Sequence, residues 1–116
     1  MADLNKVFII GRLAFDPDLR YTPSGVPVGT LRVATSRKFK TKDGETKEES
    51  LYIDVTVWNR QAENCGQYLK KGSMIHVEGY LVSETWESKT GEKHVKIKIE
   101  AERVQFLDKR PERETD

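Results

Sequence analysis

Apolar and polar residues alternate with a period of two along most of this chain. In ESLYIDVTVWNR (Glu49 to Arg60), Leu51, Ile53, Val55 and Val57 fall on one side of an extended strand. Tyr52, Asp54, Thr56 and Trp58 fall on the other. The first set reads as a core face. The second carries an acid and a hydroxyl, so it should face water, yet it also holds two large aromatics. PVGTLRVATSRKF (Pro27 to Phe39) alternates too, with Leu31 and Val33 inward and Arg32 outward. So do SMIHVEGYLVSETW (Ser73 to Trp86) and VKIKIEAERVQFL (Val95 to Leu107), the latter with Lys96 and Lys98 opposite Val95, Ile97 and Ile99. NKVFIIGRLA (Asn5 to Ala14) is β-branched and aromatic, and Gly11 marks a bend or bulge in it.

Between these strands lie turn signals. Asp16-Pro17 and Pro23 to Gly25 read as turns, and Asp43-Gly44 and Gly91 as the tips of two charged hairpins. One segment breaks the period. In RQAENCGQYLKKG, Ala62, Cys65 and Leu69 recur near helical spacing and Gly72 is a stop, which predicts a short helix over Arg60 to Gly72. The order is three strands, a helix, then two strands. Gly11, Gly29 and Gly79 sit where strands of a barrel bend. This predicts an all-β fold: a five-stranded Greek-key OB-fold barrel with one short helix between strands 3 and 4.

Composition narrows the class. The chain has 116 residues, the size of one domain, with 36% apolar and 34% charged residues, so one folded core is expected. No apolar run is long enough to span a membrane, and MADLNKVF lacks the features of a signal peptide. Cys65 is the single cysteine, so no internal disulfide forms, and a reducing, cytoplasmic setting fits best. The formal net charge of +1 points to no particular partner. A nucleic-acid binder of this charge has to segregate its cations onto one face.

No catalytic constellation is present. His76 and His94 lie in different elements, Asp16 and Asp18 flank a turn proline, and the phosphate-loop, zinc-protease and nucleophile-elbow motifs are all missing. Neither a cofactor nor a metal is expected, and Cys65 reads as a small buried hydrophobe. The aromatics carry more information. Phe39 stands among Arg37, Lys38 and Lys40, Tyr52 and Trp58 share the non-core face of their strand, with Arg60 in the same parity if the strand extends that far, and Trp86 ends its strand beside a lysine-containing hairpin. Aromatic faces stack on unpaired bases, and nearby cations hold phosphates. The hairpin lysines share their loops with Glu45, Glu48, Glu49, Glu87 and Glu92, so Arg32, Arg60 and Lys71 rank above them. Asp54 lies awkwardly in the middle of this surface, with Arg32 a potential partner across the sheet.

These residues also carry a resemblance. NKVFIIGRLAFDPDLRYTPSG, VATSR, QYLKKGS and VEGYLVSETWESKTG resemble the single-stranded DNA-binding proteins of bacteria and mitochondria, from about Asn5 to Leu107. The resemblance implies a homotetramer, a dimer of dimers, that coats single-stranded DNA with little sequence preference during replication, recombination and repair. It implies stacking by Phe39, Tyr52, Trp58 and Trp86, with Arg32, Lys38, Lys40, Arg60 and Lys71 as basic contacts. Family members often carry a basic residue where this chain has Asp54. They usually end in an acidic tail with an Asp-Asp-Ile-Pro-Phe type motif that recruits replication and repair proteins. That motif is absent from the 116 residues, so those partners are expected only if the natural chain has such a tail. The expected domains are residues 1–107, a DNA-binding OB-fold, and 108–116, a short charged tail that frays. An alternative is a tail-less, primosome-type OB-fold subunit that assembles with proteins.

Overall fold

The computed structural model describes residues 3–108, so residues 109–116 of the expected tail lie outside the described residues, as do 1 and 2. Seven elements follow in order: β1 (Val7–Leu13), β2 (Asp18–Tyr21), β3 (Pro27–Lys40), β4 (Thr46–Trp58), α1 (Asn59–Tyr68), β5 (Met74–Glu87) and β6 (Lys93–Phe106). The sheet order is β1-β5-β6-β4-β3-β2. A second pairing of β1, with β3 through Arg12↔Ala34 and Leu13↔Val33, closes five of these strands into a barrel. β4 and β6 meet in parallel, and the other pairings are antiparallel. The helix leaves the end of β4 and leads into β5, as the sequence predicts.

One element differs from expectation. The segment DLRY, read above as chain between turns, is the short strand β2, which pairs with β3 outside the barrel. Four residues flanked by turn prolines give too little alternation to register as a strand.

Alternation places the core. Leu31, Val33, Val55, Val57, Ile75, Val77 and Ile99 are buried inside the barrel, and Ala62, Cys65 and Leu69 from the helix and its exit pack against them. Two glycines permit the closure. A Cβ on Gly11 would lie 2.4 Å from the Ala34 carbonyl oxygen, where β1 crosses β3. A Cβ on Gly79 would lie 2.1 Å from the Glu100 carbonyl oxygen, beside the bulge at Glu78/Gly79 in the β5–β6 pairing. Both contacts are with backbone, which cannot rotate away.

β3–β4 and β5–β6 are long ribbons whose outer halves overrun the barrel. The radius of gyration is 17.3 Å, against about 13 Å for a compact chain of this length. This corrects part of the core reading. Leu51 has core parity but is 50% exposed, because it stands on an arm beyond the barrel rim. Val95 and Ile97 are exposed for the same reason.

Candidate nucleic-acid interface

The outward row of β4 is the centre of the candidate surface. Tyr52, Asp54, Thr56 and Trp58 alternate with the core residues, and Tyr52 and Trp58 stand about 20 Å apart along the strand. Tyr52 is 54% exposed and lies beneath the Arg32 guanidinium, whose central carbon is 5.8 Å from the ring centroid. Trp58 is 39% exposed and donates its indole N–H to Glu100 on β6, which fixes one edge of the ring. Thr56, between them, is buried.

Asp54 has a definite place. It faces Arg32 in the β3–β4 register. Its Oδ1 accepts from Arg32 Nη1 at 3.1 Å, and its Oδ2 accepts from the Lys96 ammonium. The acid thus sits between two cations.

The other predicted residues spread along the arms and around the helix. Phe39 is half-buried on the β3–β4 arm, with the Arg37 guanidinium 5.1 Å from its ring centroid. By alternation it shares the side of Leu31 and Val33, opposite to Tyr52. Lys38 and Lys40 flank it and are exposed. Trp86 is exposed on the β5–β6 arm and stacks on His94, its cross-strand partner, with centroids 5.3 Å apart and planes 19° apart. Arg60 is exposed in the first turn of α1, on a surface groove it shares with Leu19, Tyr21 and Glu63. Lys71 is exposed just past the helix, where its backbone N–H donates to Asp16 Oδ1 at 2.8 Å. The geometry therefore joins Arg32 to Tyr52 and gathers Lys38, Lys40 and Phe39 on one arm. Arg60 and Lys71 stand at opposite ends of the helix, away from the arms.

Sequence reasoning left three residues out of this surface. Lys96 and Lys98 lie on the outward side of β6, where Lys96 reaches Asp54 and Lys98 lies 3.8 Å from Glu84. His94 covers one face of Trp86. The alternation of VKIKIEA already placed the lysines opposite the core, so the signal for them was present. Nothing local marks His94, because its role depends on the hairpin register.

Cys65 is fully buried, and that burial pushes its thiol up to about 11 from the ordinary 9.0. It is thus a packing residue with little thiolate at neutral pH. Among the described residues, no group of three or more His, Cys, Asp or Glu is placed to hold a metal ion. No helix among them is long and apolar enough to cross a membrane.

A closed five-stranded barrel with a helix between its third and fourth strands is an OB-fold, and an outward row of partly exposed aromatics beside cations is its candidate binding surface. The chain belongs to the single-strand binding protein family, whose family model matches residues 4–107. It is 45% identical over 104 residues to the single-stranded DNA-binding protein of Wolinella succinogenes, covering 90% of this chain and 64% of that protein. It is 47% identical over 107 residues to that of Helicobacter hepaticus, covering 92% of this chain and 63% of the relative. The chain thus spans a little under two thirds of these relatives' length. Among solved structures, a deletion mutant of the single-stranded DNA binding protein from Thermus aquaticus superposes with a TM-score of 0.80 at 38% identity, over 92% of this chain and 52% of that one. The Plasmodium falciparum SSB complex with ssDNA gives a TM-score of 0.85 at 24% identity, over 93% of this chain and 98% of that one, a likeness of fold.

Proposed function

We propose that this chain binds single-stranded DNA largely independently of sequence, coating and protecting exposed strands during replication, recombination and repair. It is a binding module rather than an enzyme, and it acts on the nucleoid in the cytoplasm. The carrying observation is the outward row of β4 with its continuation on the β5–β6 arm. There Tyr52, Trp58 and Trp86 offer partly exposed ring faces near Arg32, Lys96 and Lys98. An unpaired base can stack on such a ring, whereas a duplex keeps its base faces covered. Lys38 and Lys40 extend the surface along the other arm, Phe39 offers its ring on the opposite face of that arm, and Arg60 and Lys71 supply cations near the helix. Membership of the single-strand binding protein family supports the same reading.

The working form is a homotetramer, a dimer of dimers. Phe8 and Ile10, both exposed on the outward side of β1, support self-association, because a soluble chain seldom leaves such side chains bare together. A second reading, an OB-fold subunit whose aromatics meet protein, is favoured by the acid at Asp54.

Titration with poly-dT, followed by tryptophan emission, separates the two. Stacking on Trp58 and Trp86 gives strong, saturable quenching that weakens as salt rises. Unchanged emission at low salt overturns the DNA reading and leaves the protein interface.

A further inference from the structure

The Asp54 carboxylate is only 16% exposed, while Arg32 and Lys96 above it are 39% and 40% exposed. The acid lies beneath the surface and the cation heads lie over it. Each of its oxygens takes one cation. A phosphodiester has the same two needs, an anionic oxygen for each of two donors, so carboxylate and phosphate would fill the same place. The three charges sum to +1 rather than +2. Asp16 and Asp18 line the same cleft, of about 350 Å³, together with Arg32 and Asp54. Asp16 accepts the Lys71 N–H, however, and Asp18 faces Arg20 at 3.2 Å, so Arg32 is held by Asp54. Tyr52, under the same guanidinium, ties this ion cluster to a stacking ring.

We infer that Asp54 is an internal competitor for the DNA backbone, one that sets how tightly and how salt-sensitively Arg32 and Lys96 engage phosphate. This rests on the single-stranded DNA reading above. A phosphate reaching these cations exchanges one anion for another and meets a net charge of +1, so fewer counterions condensed on the DNA are released than by two free cations. Each cation engaged in this way is withheld from the salt dependence, which for single strands is about 0.7 in log K per log salt for each phosphate neutralised. Asp54 is a positioning residue here, acting on DNA through the two cations.

The test is Asp54→Asn, which keeps the shape and removes the charge. Poly-dT affinity is measured from about 50 to about 200 mM salt, with circular dichroism confirming the fold. The expected result is roughly tenfold tighter binding at about 50 mM and a log–log salt slope steeper by about 0.7, for the one net positive charge gained. Adding Lys96→Met to Asp54→Asn takes back the added slope. A structural role alone would lower the unfolding midpoint without steepening the slope. Should Asp54→Asn not fold, Asp54→Ser, which also removes the charge, carries the test. Its slope is expected to steepen by the same amount, and an unchanged slope overturns the inference. Binding by parent and Asp54→Asn with equal slopes, or weaker binding by the variant, also overturns it. If neither protein binds poly-dT, the DNA reading itself falls and the inference with it.

Discussion

Replacing Trp58 by alanine measures how one side chain serves both fold and ligand. Trp58 is 39% exposed, so about three fifths of its surface is covered. A tryptophan offers up to about 250 Å², which puts about 150 Å² out of water and, at about 25 cal/mol per Å², about 4 kcal/mol of burial. Alanine retains part of this, and a compact unfolded chain reduces the remainder. Trp58→Ala should therefore cost about 2–3 kcal/mol of folding stability, below the ceiling for a fully buried tryptophan. Loss of one stacked base should weaken poly-dT binding by about 1–3 kcal/mol, or roughly 5- to 150-fold. The chain has two tryptophans, so Trp86 still reports binding in the variant. Urea unfolding followed by circular dichroism gives the first quantity, and emission titration at a temperature where both proteins are folded gives the second. Trp58→Phe keeps a ring and most of the covered area, losing the indole donor to Glu100, and should restore most of both. A stability loss with unchanged affinity would make Trp58 a mere anchor and refute the argument.

Two further perturbations test the fold. Gly79→Ala forces a Cβ toward the Glu100 carbonyl and Ala101 Cα and should cost about 3 kcal/mol, lowering the thermal midpoint by roughly 10–20 °C. A midpoint within a few degrees of the parent would show that the β5–β6 bulge has slack. The folded chain keeps the Cys65 proton to higher pH than the unfolded chain, so the Cys65 contribution is intact below about pH 9 and is lost as pH rises toward 11. The fall in urea midpoint across that window should therefore be smaller in Cys65→Ala than in the parent; equal falls would deny that burial holds the proton.

Strand positions and barrel bends were legible because alternation and glycines are local signals. Leu31, Val33, Val55 and Val57 could be assigned inward by counting in twos, and they are buried. Counting does not show where a strand leaves the barrel. Leu51 keeps the inward parity of Val55 but stands on an arm, half exposed, because the barrel rim is set by strands distant in sequence. The aromatics of β4 were legible as outward side chains at odds with a wet surface. The partner of Asp54 was only half legible. Arg32 follows from hairpin register, whereas Lys96 arrives through the parallel β4–β6 contact, which no local pattern reveals.

The two arms differ from the barrel in what holds them. Beyond the rim, each ribbon is hydrogen-bonded within itself, and side chains such as Leu51, Val95 and Ile97 have core parity but lie open. An amide there is released by opening a single hairpin, while one in Val55 or Ile99 waits for the whole barrel to come apart. Hydrogen exchange should therefore divide the chain into two tempos, fast fingers on a slow hub. The surfaces assigned to bases and phosphates straddle that divide, with Trp58 on the hub and Phe39 and Trp86 on the fingers.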